Sequence, residues 1–260
     1  MDRGGGVMSV PSLYFKDIGS KTDPTIVLLH SLATHSDLWA QQVPVWSTHF
    51  RVVSVDLPGH GQSAVADEDI SLASMASGVV AVLDKLQVSK AAFVGLSLGG
   101  MVAQAIALTY ETRVAALVIA HAGARTGAAV QGIWVQRIQE FEDGGMSKLA
   151  QPTLERWFPR SFAESSPQTM DWMAGLIQCT DPKGYVSAIR AIQGLNHLDR
   201  LPSIAAPTLV VAGLADAAVP STVAFLVAQR IPNAKLHLLE ETGHIGNVQK
   251  PTEFTEAVGE

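Results

Sequence analysis

The sequence predicts an α/β protein: a mostly parallel, doubly wound sheet with a cap of helices inserted into it. Three observations predict this class. Strand-like apolar runs alternate with helix-like segments, the alternation stops over one long helical block, and it then resumes.

The runs TIVLLH (25–30), RVVSVDL (51–57), AAFVGLS (91–97) and AALVIAH (115–121) are nearly continuous in apolar residues. Strands buried on both faces of a parallel sheet read in this way. Between them, residues 36–46, 71–86 and 98–110 have the length and composition of crossover helices. From 124 to 200 the segments VQGIWVQRIQEFED, SKLAQPTLERWF and YVSAIRAIQGL keep helical spacing, with no strand-like run among them. The alternation returns with TLVVAGLAD (208–216), a helix around 220–230, KLHLLEE (235–241) and a last short helix after Pro251. The expected organisation is a sheet core made of residues 1–123 and 201–260, and a helical cap made of 124–200.

At 260 residues, 47% of them apolar and 16% charged, the chain suits one large domain with a well-buried core. A formal charge of −6 and the lack of a basic stretch argue against a nucleic-acid partner. The single cysteine, Cys179, rules out an intramolecular disulfide. The opening MDRGGGVMSV lacks the apolar stretch of a signal peptide, and no apolar run approaches the roughly 20 residues that span a bilayer. A soluble cytoplasmic protein with no membrane partner is expected, with residues 1–6 as a frayed terminus.

The chemistry starts at VGLSLGG (94–100), where a strand ends and a helix begins; it fits G-x-S-x-G with Gly95, Ser97 and Gly99. A serine held in so sharp a turn needs tiny neighbours two residues away, so that strand and helix can pack closely. The turn lifts Oγ above the sheet and aims the Leu98 N–H, at the helix N-terminus, toward a developing oxyanion. Gly and Ser also build ordinary turns. The motif gains its weight from lying between AAFVG and an apolar helix.

Such a nucleophile takes its acid and base in the chain order Ser, Asp or Glu, His. Asp216 follows a late strand in VVAGLADAAVP, and His244 follows the last strand in ETGHIGN. Ser97, Asp216 and His244 are therefore the expected catalytic residues. His30 and His60 also follow strands and are read as structural or supporting residues. His121, His197 and His237 have no matching turn context, and Asp56, the rival acid, lies on the far side of the serine in chain order. The loop HSLATH (30–35) after the first central strand is the natural source of a second oxyanion donor, the N–H of Leu32, paired with that of Leu98.

With these residues placed, the chain resembles the 3-oxoadipate enol-lactonases of aromatic-acid catabolism, members of the α/β-hydrolase superfamily. The likeness runs over most of the chain. It includes GLSLGG and GHGQS, then the cap segments W-x-x-R followed by GGM (Trp134, Arg137, 144–146), ERWFPRSF (155–162) and DPKGYVSAIRAI (181–192). APTLVVAG and GHIGNVQKP complete it. The resemblance implies an α/β-hydrolase fold whose cap covers a Ser-His-Asp site, and hydrolysis of a five-membered enol-lactone bearing a carboxymethyl group. Three positions depart from the pattern: Ser31 replaces the Gly of the usual H-G, Ala33 stands where Gly is common, and Leu-Ala precedes Asp216. The first two bear on the oxyanion loop and so on specificity.

A protein of net charge −6 that handles an anion needs a local cation. Trp134 and Arg137 are three apart on a predicted helix and share a face, so they are the expected substrate-binding pair, an apolar wall beside a guanidinium fork. The plainer alternative pairs Arg137 with Glu140 or Glu142 at the surface and leaves Trp134 to pack the cap. Arg190 and Arg125 are the substitute cations. No histidine–carboxylate cluster has metal-ligand spacing, and GHGQSA lacks the third glycine of a dinucleotide fingerprint, so neither metal nor cofactor is expected. The expected partner is a small-molecule ester or lactone. A carboxylesterase or carbon–carbon bond hydrolase would use the same triad. From a different class, a ligand receptor built on the hydrolase fold would keep the triad with little turnover. Serine rather than aspartate at the elbow argues against a dehalogenase, while a haloperoxidase-like side activity would need no different residues.

Overall fold

The computed structural model describes residues 12–66 and 70–259; residues 1–6, expected to fray, lie outside them. Seven strands form one sheet: β1 (Phe15–Ile18), β2 (Thr25–Leu29), β3 (Arg51–Val55), β4 (Ala91–Leu96), β5 (Val114–Ala120), β6 (Thr208–Gly213) and β7 (Lys235–Leu239). Their order is β1-β3-β2-β4-β5-β6-β7. All neighbours pair in parallel except β1, which runs antiparallel to β3. The chain winds one way from β2 to β3 and the other way from β2 to β4. That reversal opens a crevice outside the carboxyl ends of β2 and β4, where open α/β sheets bind their ligands.

Helices α1 (Val43–Trp46), α2 (Leu72–Lys85) and α3 (Leu98–Thr109) belong to the first half. Four more, α4 (Ala128–Trp157), α5 (Arg160–Ser165), α6 (Pro167–Gln178) and α7 (Pro182–Gln193), are inserted between β5 and β6. α8 (Ser221–Arg230) joins β6 to β7, and α9 (Gly246–Gln249) and α10 (Pro251–Gly259) follow. The central strands are largely apolar because both faces are covered: all five residues of β3 are buried, and Val27, Leu28 and Leu29 of β2 have no exposed surface. Full burial of each such side chain contributes about 1.5–3 kcal/mol. α2 begins at a capping box, in which the Ser71 hydroxyl accepts from the Ser74 amide and the Ser74 hydroxyl accepts from that of Ser71.

Two elements differ from the sequence expectation. Residues 36–46 do not form one crossover helix but a 3-10 turn, Ser36–Trp39, followed by the single turn of α1. Pro44 has no N–H to donate and is tolerated only in a first helical turn, so the helix restarts around it. The break lets Trp39 and Trp46 both reach the core, Trp39 against Phe254 at 6.1 Å between rings. β1 carries no readable strand signal, because it is four residues long and half charged, FKDI. It is an edge strand, held by a bidentate pair from Arg51 on β3 to Asp17 at 2.9 and 2.7 Å. The first two cap segments join as one long element, bent at Gly145, where φ is +69°. Among the described residues, no helix is long and apolar enough to cross a membrane.

Candidate active site

Ser97 sits between β4 and α3 with φ +54° and ψ −112°, a strained backbone held by its surroundings. The flanking glycines show why the turn needs them. A Cβ on Gly95 would come within 2.2 Å of the Gly99 carbonyl oxygen, and one on Gly99 within 2.1 Å of the Leu29 carbonyl oxygen. The backbone is thereby forced to present Oγ at the carboxyl edge of the sheet.

The loops after β6 and β7 bring the other two predicted residues to it. His244 Nε2 lies 2.9 Å from Ser97 Oγ, and His244 Nδ1 lies 2.9 Å from Asp216 Oδ2. Asp216 Oδ1 accepts from the Ala218 and Val219 amides, both at 2.8 Å. With Oδ2 an acceptor, the proton of the neutral His244 ring rests on Nδ1, leaving Nε2 free to accept from the serine hydroxyl. Burial by itself raises the Asp216 carboxyl, but His244 and hydrogen bonds from two histidine rings outweigh it and hold the group well below the ordinary carboxylate range. All three side chains are buried, and Ser97 and His244 line one cavity.

The second of those rings belongs to His121, which the sequence left without a role. It stands just past β5, and its Nδ1 is 3.1 Å from the same Oδ2. Nothing local marks it, since the contact joins residues 95 apart in the chain. His121, Asp216 and His244 place ligand-type atoms within 4.8 Å of one another, a grouping that spacing did not show. Within it one carboxylate oxygen is shared by two histidine rings.

The rivals go elsewhere. Asp56 accepts from the Ser36 and Gln62 amides at 2.8 and 2.9 Å and closes the loop after β3. His30 accepts from the Leu57 amide at 2.8 Å through Nε2 and donates from Nδ1 to the Ser31 carbonyl at 2.7 Å, tying the candidate oxyanion loop to that same region. His60 donates from Nδ1 to the Pro58 carbonyl at 3.0 Å. In the candidate oxyanion loop Ala33 adopts φ +60°, a conformation that favours glycine. The amides of Leu32 and Leu98 donate to no other described backbone group, and Leu32 lines the cavity beside Ser97.

The helical insertion forms the opposite wall. Trp134, Arg137, Ile138 and Phe141 make the inward face of the first arm of α4, at spacings of three and four. Arg137 is buried rather than paired with Glu140 or Glu142. Its guanidinium donates to Thr153 Oγ1 at 2.5 Å and to the Tyr185 hydroxyl at 3.3 Å. Arg156, one turn beyond Thr153, lines the same cavity. Burial and the like charge of Arg137 push the Arg156 guanidinium down from its ordinary value. Burial pushes the Tyr185 hydroxyl up, so it stays neutral. Among the described residues, no carboxylate forms an ion pair with either guanidinium. The indole N–H of Trp134, also on the cavity wall, is buried without a partner. Arg125, by contrast, pairs with Asp199 and Asn196 away from the cavity. Arg156 escaped the sequence reading because one charge within an amphipathic helix usually marks the solvent face.

A sheet with this order, a strained serine after β4, and an acid and a histidine after β6 and β7 match a known architecture, and residues 24–251 fit the family model of the alpha/beta hydrolase fold. The chain belongs to that family. This α/β-hydrolase is 29% identical to 3-oxoadipate enol-lactonase 2 of Acinetobacter baylyi, over 95% of this chain and 91% of that one. It is 30% identical to 3-oxoadipate enol-lactonase 1 of the same organism, over 91% and 87%. Among solved structures, the enol-lactonase from Burkholderia xenovorans LB400 superposes with a TM-score of 0.91 at 31% identity, each chain covered to 95%. A thermophilic esterase from Thermogutta terrifontis superposes with a TM-score of 0.89 at 26% identity, over 95% of this chain and 91% of that one. The α/β-hydrolase is an enzyme for ester-type bonds, of the lactonase type.

Proposed function

We propose that this α/β-hydrolase opens a small enol-lactone carrying a carboxylate, of the 3-oxoadipate enol-lactone kind, through an acyl-enzyme on Ser97. The observation that carries the substrate class is the pair of guanidiniums, Arg137 and Arg156, which face the cavity of Ser97 without a carboxylate partner. Like charges side by side, Arg137 buried and Arg156 half-buried, are costly, and an anionic ligand between them offsets that cost. The similarity to two enol-lactonases supports the same reading.

In the proposed mechanism His244 Nε2 takes the proton of Ser97 Oγ as the oxygen attacks the lactone carbonyl. Asp216 holds the ring in the required tautomer and stabilises the imidazolium. The Leu32 and Leu98 amides receive the oxyanion. As the tetrahedral intermediate collapses, the ring C–O bond breaks and the enol oxygen takes the proton from His244. The leaving group stays tethered to the acyl chain. His244 then takes a proton from water, hydroxide adds to the acyl carbon, and the ester to Ser97 is released with its proton restored. The cap supplies binding: Arg137 and Arg156 hold the carboxylate and Trp134 closes the apolar side.

The test compares Arg137→Met and Arg156→Met on an anionic enol-lactone and a neutral p-nitrophenyl ester. Losing one charge-assisted bond costs about 1.5–3 kcal/mol, so kcat/KM for the lactone should fall roughly 10- to 100-fold in each variant, with the ester little changed. Equal losses on both substrates, or none on either, would contradict the anionic substrate. Rapid turnover of neutral esters by wild type with none of the lactone would favour a carboxylesterase.

A further inference from the structure

We propose that His121 is a positioning residue that divides the carboxylate of Asp216 with His244 and so weakens the hold of that carboxylate on the His244 imidazolium. The proposal rests on the reading of His244 as the base. The two Nδ1 atoms lie 3.1 and 2.9 Å from one oxygen, Oδ2, and the rings meet edge to face at 76° with centroids 5.8 Å apart. An ionised carboxylate only accepts, so each ring presents an N–H there. His121 is therefore in the Nδ1–H tautomer, and its Nε2 is a bare acceptor, buried with no partner. The space around Nε2 is closed: a Cβ on Gly246 would lie 2.5 Å from it. Protonating Nε2 would create a buried cation there with nothing to bond it, and burial accordingly pushes His121 down from its ordinary value.

A neutral ring donating to Oδ2 has two effects. It fixes the carboxylate at Oδ2, while the Ala218 and Val219 amides hold Oδ1. It also draws charge from the oxygen that stabilises the His244 imidazolium. The groups facing the histidine pair are Asp216 after β6, the Ser97 hydroxyl on the elbow, and more distantly Arg156 on α4. The carboxylate is the anion among them, so its division governs the base. The backbone supports the assignment, since His121 adopts φ +51°, a conformation open to Asn, Asp and His but poor for most side chains.

Removing the donor should return the whole of Oδ2 to His244 and strengthen the hold on its imidazolium. In His121→Leu the acid limb of kcat/KM should move up by about one pH unit, a tenfold change in proton affinity. His121→Asn tolerates the positive φ and keeps an N–H, so it should return the limb to the wild-type position. A role confined to packing would instead lower activity at every pH alike, with the limb unmoved in both variants, and that result would overturn the proposal. If His121→Leu does not fold, nitrogen-15 NMR of histidine-labelled wild type reads the tautomer directly. His121 should be neutral at pH 7.5 with its proton on Nδ1, and a proton on Nε2 would overturn the proposal equally. Failure of the base assignment shows separately, as activity retained in His244→Ala.

Discussion

Asp216 accepts four hydrogen bonds, two from backbone amides and two from histidine rings. A carboxylate so held is ionised at any pH at which the enzyme works. Its proposed task is orientation rather than proton transfer, and Asp216→Asn should slow turnover by roughly 10⁴-fold while leaving the fold intact, as loss of the correct tautomer does. Ser97→Ala and His244→Ala should each lose close to a million-fold in kcat, and the double variant should be scarcely worse, because the residues act as a unit. Steady-state kinetics on all four proteins checks this. More than a tenth of wild-type turnover in His244→Ala would remove it as the base. These three residues were legible because each follows a strand and their chain order restricts the choice. His121 was not, because its importance comes from a partner that only the folded sheet brings near. Arg137 was legible as a cation on an inward face, and Arg156 was hidden until the bend at Gly145 turned the second arm of α4 toward the first.

At the scale of elements, the strand-to-helix elbow and the cap helices make opposite demands on glycine. Gly99→Ala drives a methyl group into backbone oxygens at 2.1 and 2.8 Å that cannot move independently of the sheet. Overpacking of this kind costs about 1–3 kcal/mol, and it should also displace Oγ and lower kcat sharply. Gly175, exposed within α6, has nothing within 4 Å of its Cβ position. There alanine removes the helix penalty of glycine, about 1 kcal/mol, and should raise the melting temperature with activity unchanged. Thermal melts of the two variants against wild type make the comparison. Similar shifts of the same sign would contradict this account of the elbow. Strands buried on both faces were readable from apolar runs alone, yet their expected ends overshot. His30, Ser97, His121 and Asp216 continue the runs in sequence but leave the sheet in space, which places them at its functional edge. Residues 36–46 were misread because helical composition outweighed Pro44, and β1 because its pairing with β3 comes from position rather than pattern.

For the whole molecule, burial of several histidines makes stability depend on pH. Burial pushes His60 down to about 4, and burial with the nearby Arg200 pushes His197 down to about 4. His30 and His121 are also lowered, chiefly by burial. In the unfolded chain these rings take protons near pH 6.5. Between that value and the lowered folded values the unfolded state binds more protons, so stability is full above about pH 6.5 and declines as pH falls toward 4. His60 alone should cost about 1–2 kcal/mol at pH 5. Urea unfolding at pH 7.5 and pH 5 should show a clear drop in midpoint, made shallower in His60→Gln. Equal midpoints in wild type would contradict the neutral burial of these rings. The division into sheet core and helical insertion was visible in the sequence as a change of pattern. The sharing of one cavity by elbow and insertion was not, because it depends on how the bent α4 lies over the sheet edge, with the Trp157 carbonyl accepting from the His244 amide at 2.7 Å.

Titration of the enzyme with a fluorophosphonate, with the adduct located by tandem mass spectrometry, reports whether Ser97 is the nucleophile of a lactone-opening hydrolase. One equivalent of label is expected, on Ser97, with enol-lactone hydrolysis lost in proportion to labelling and no label in His244→Ala over the same time. Label on another residue, or full lactone hydrolysis by enzyme labelled at Ser97, would contradict it.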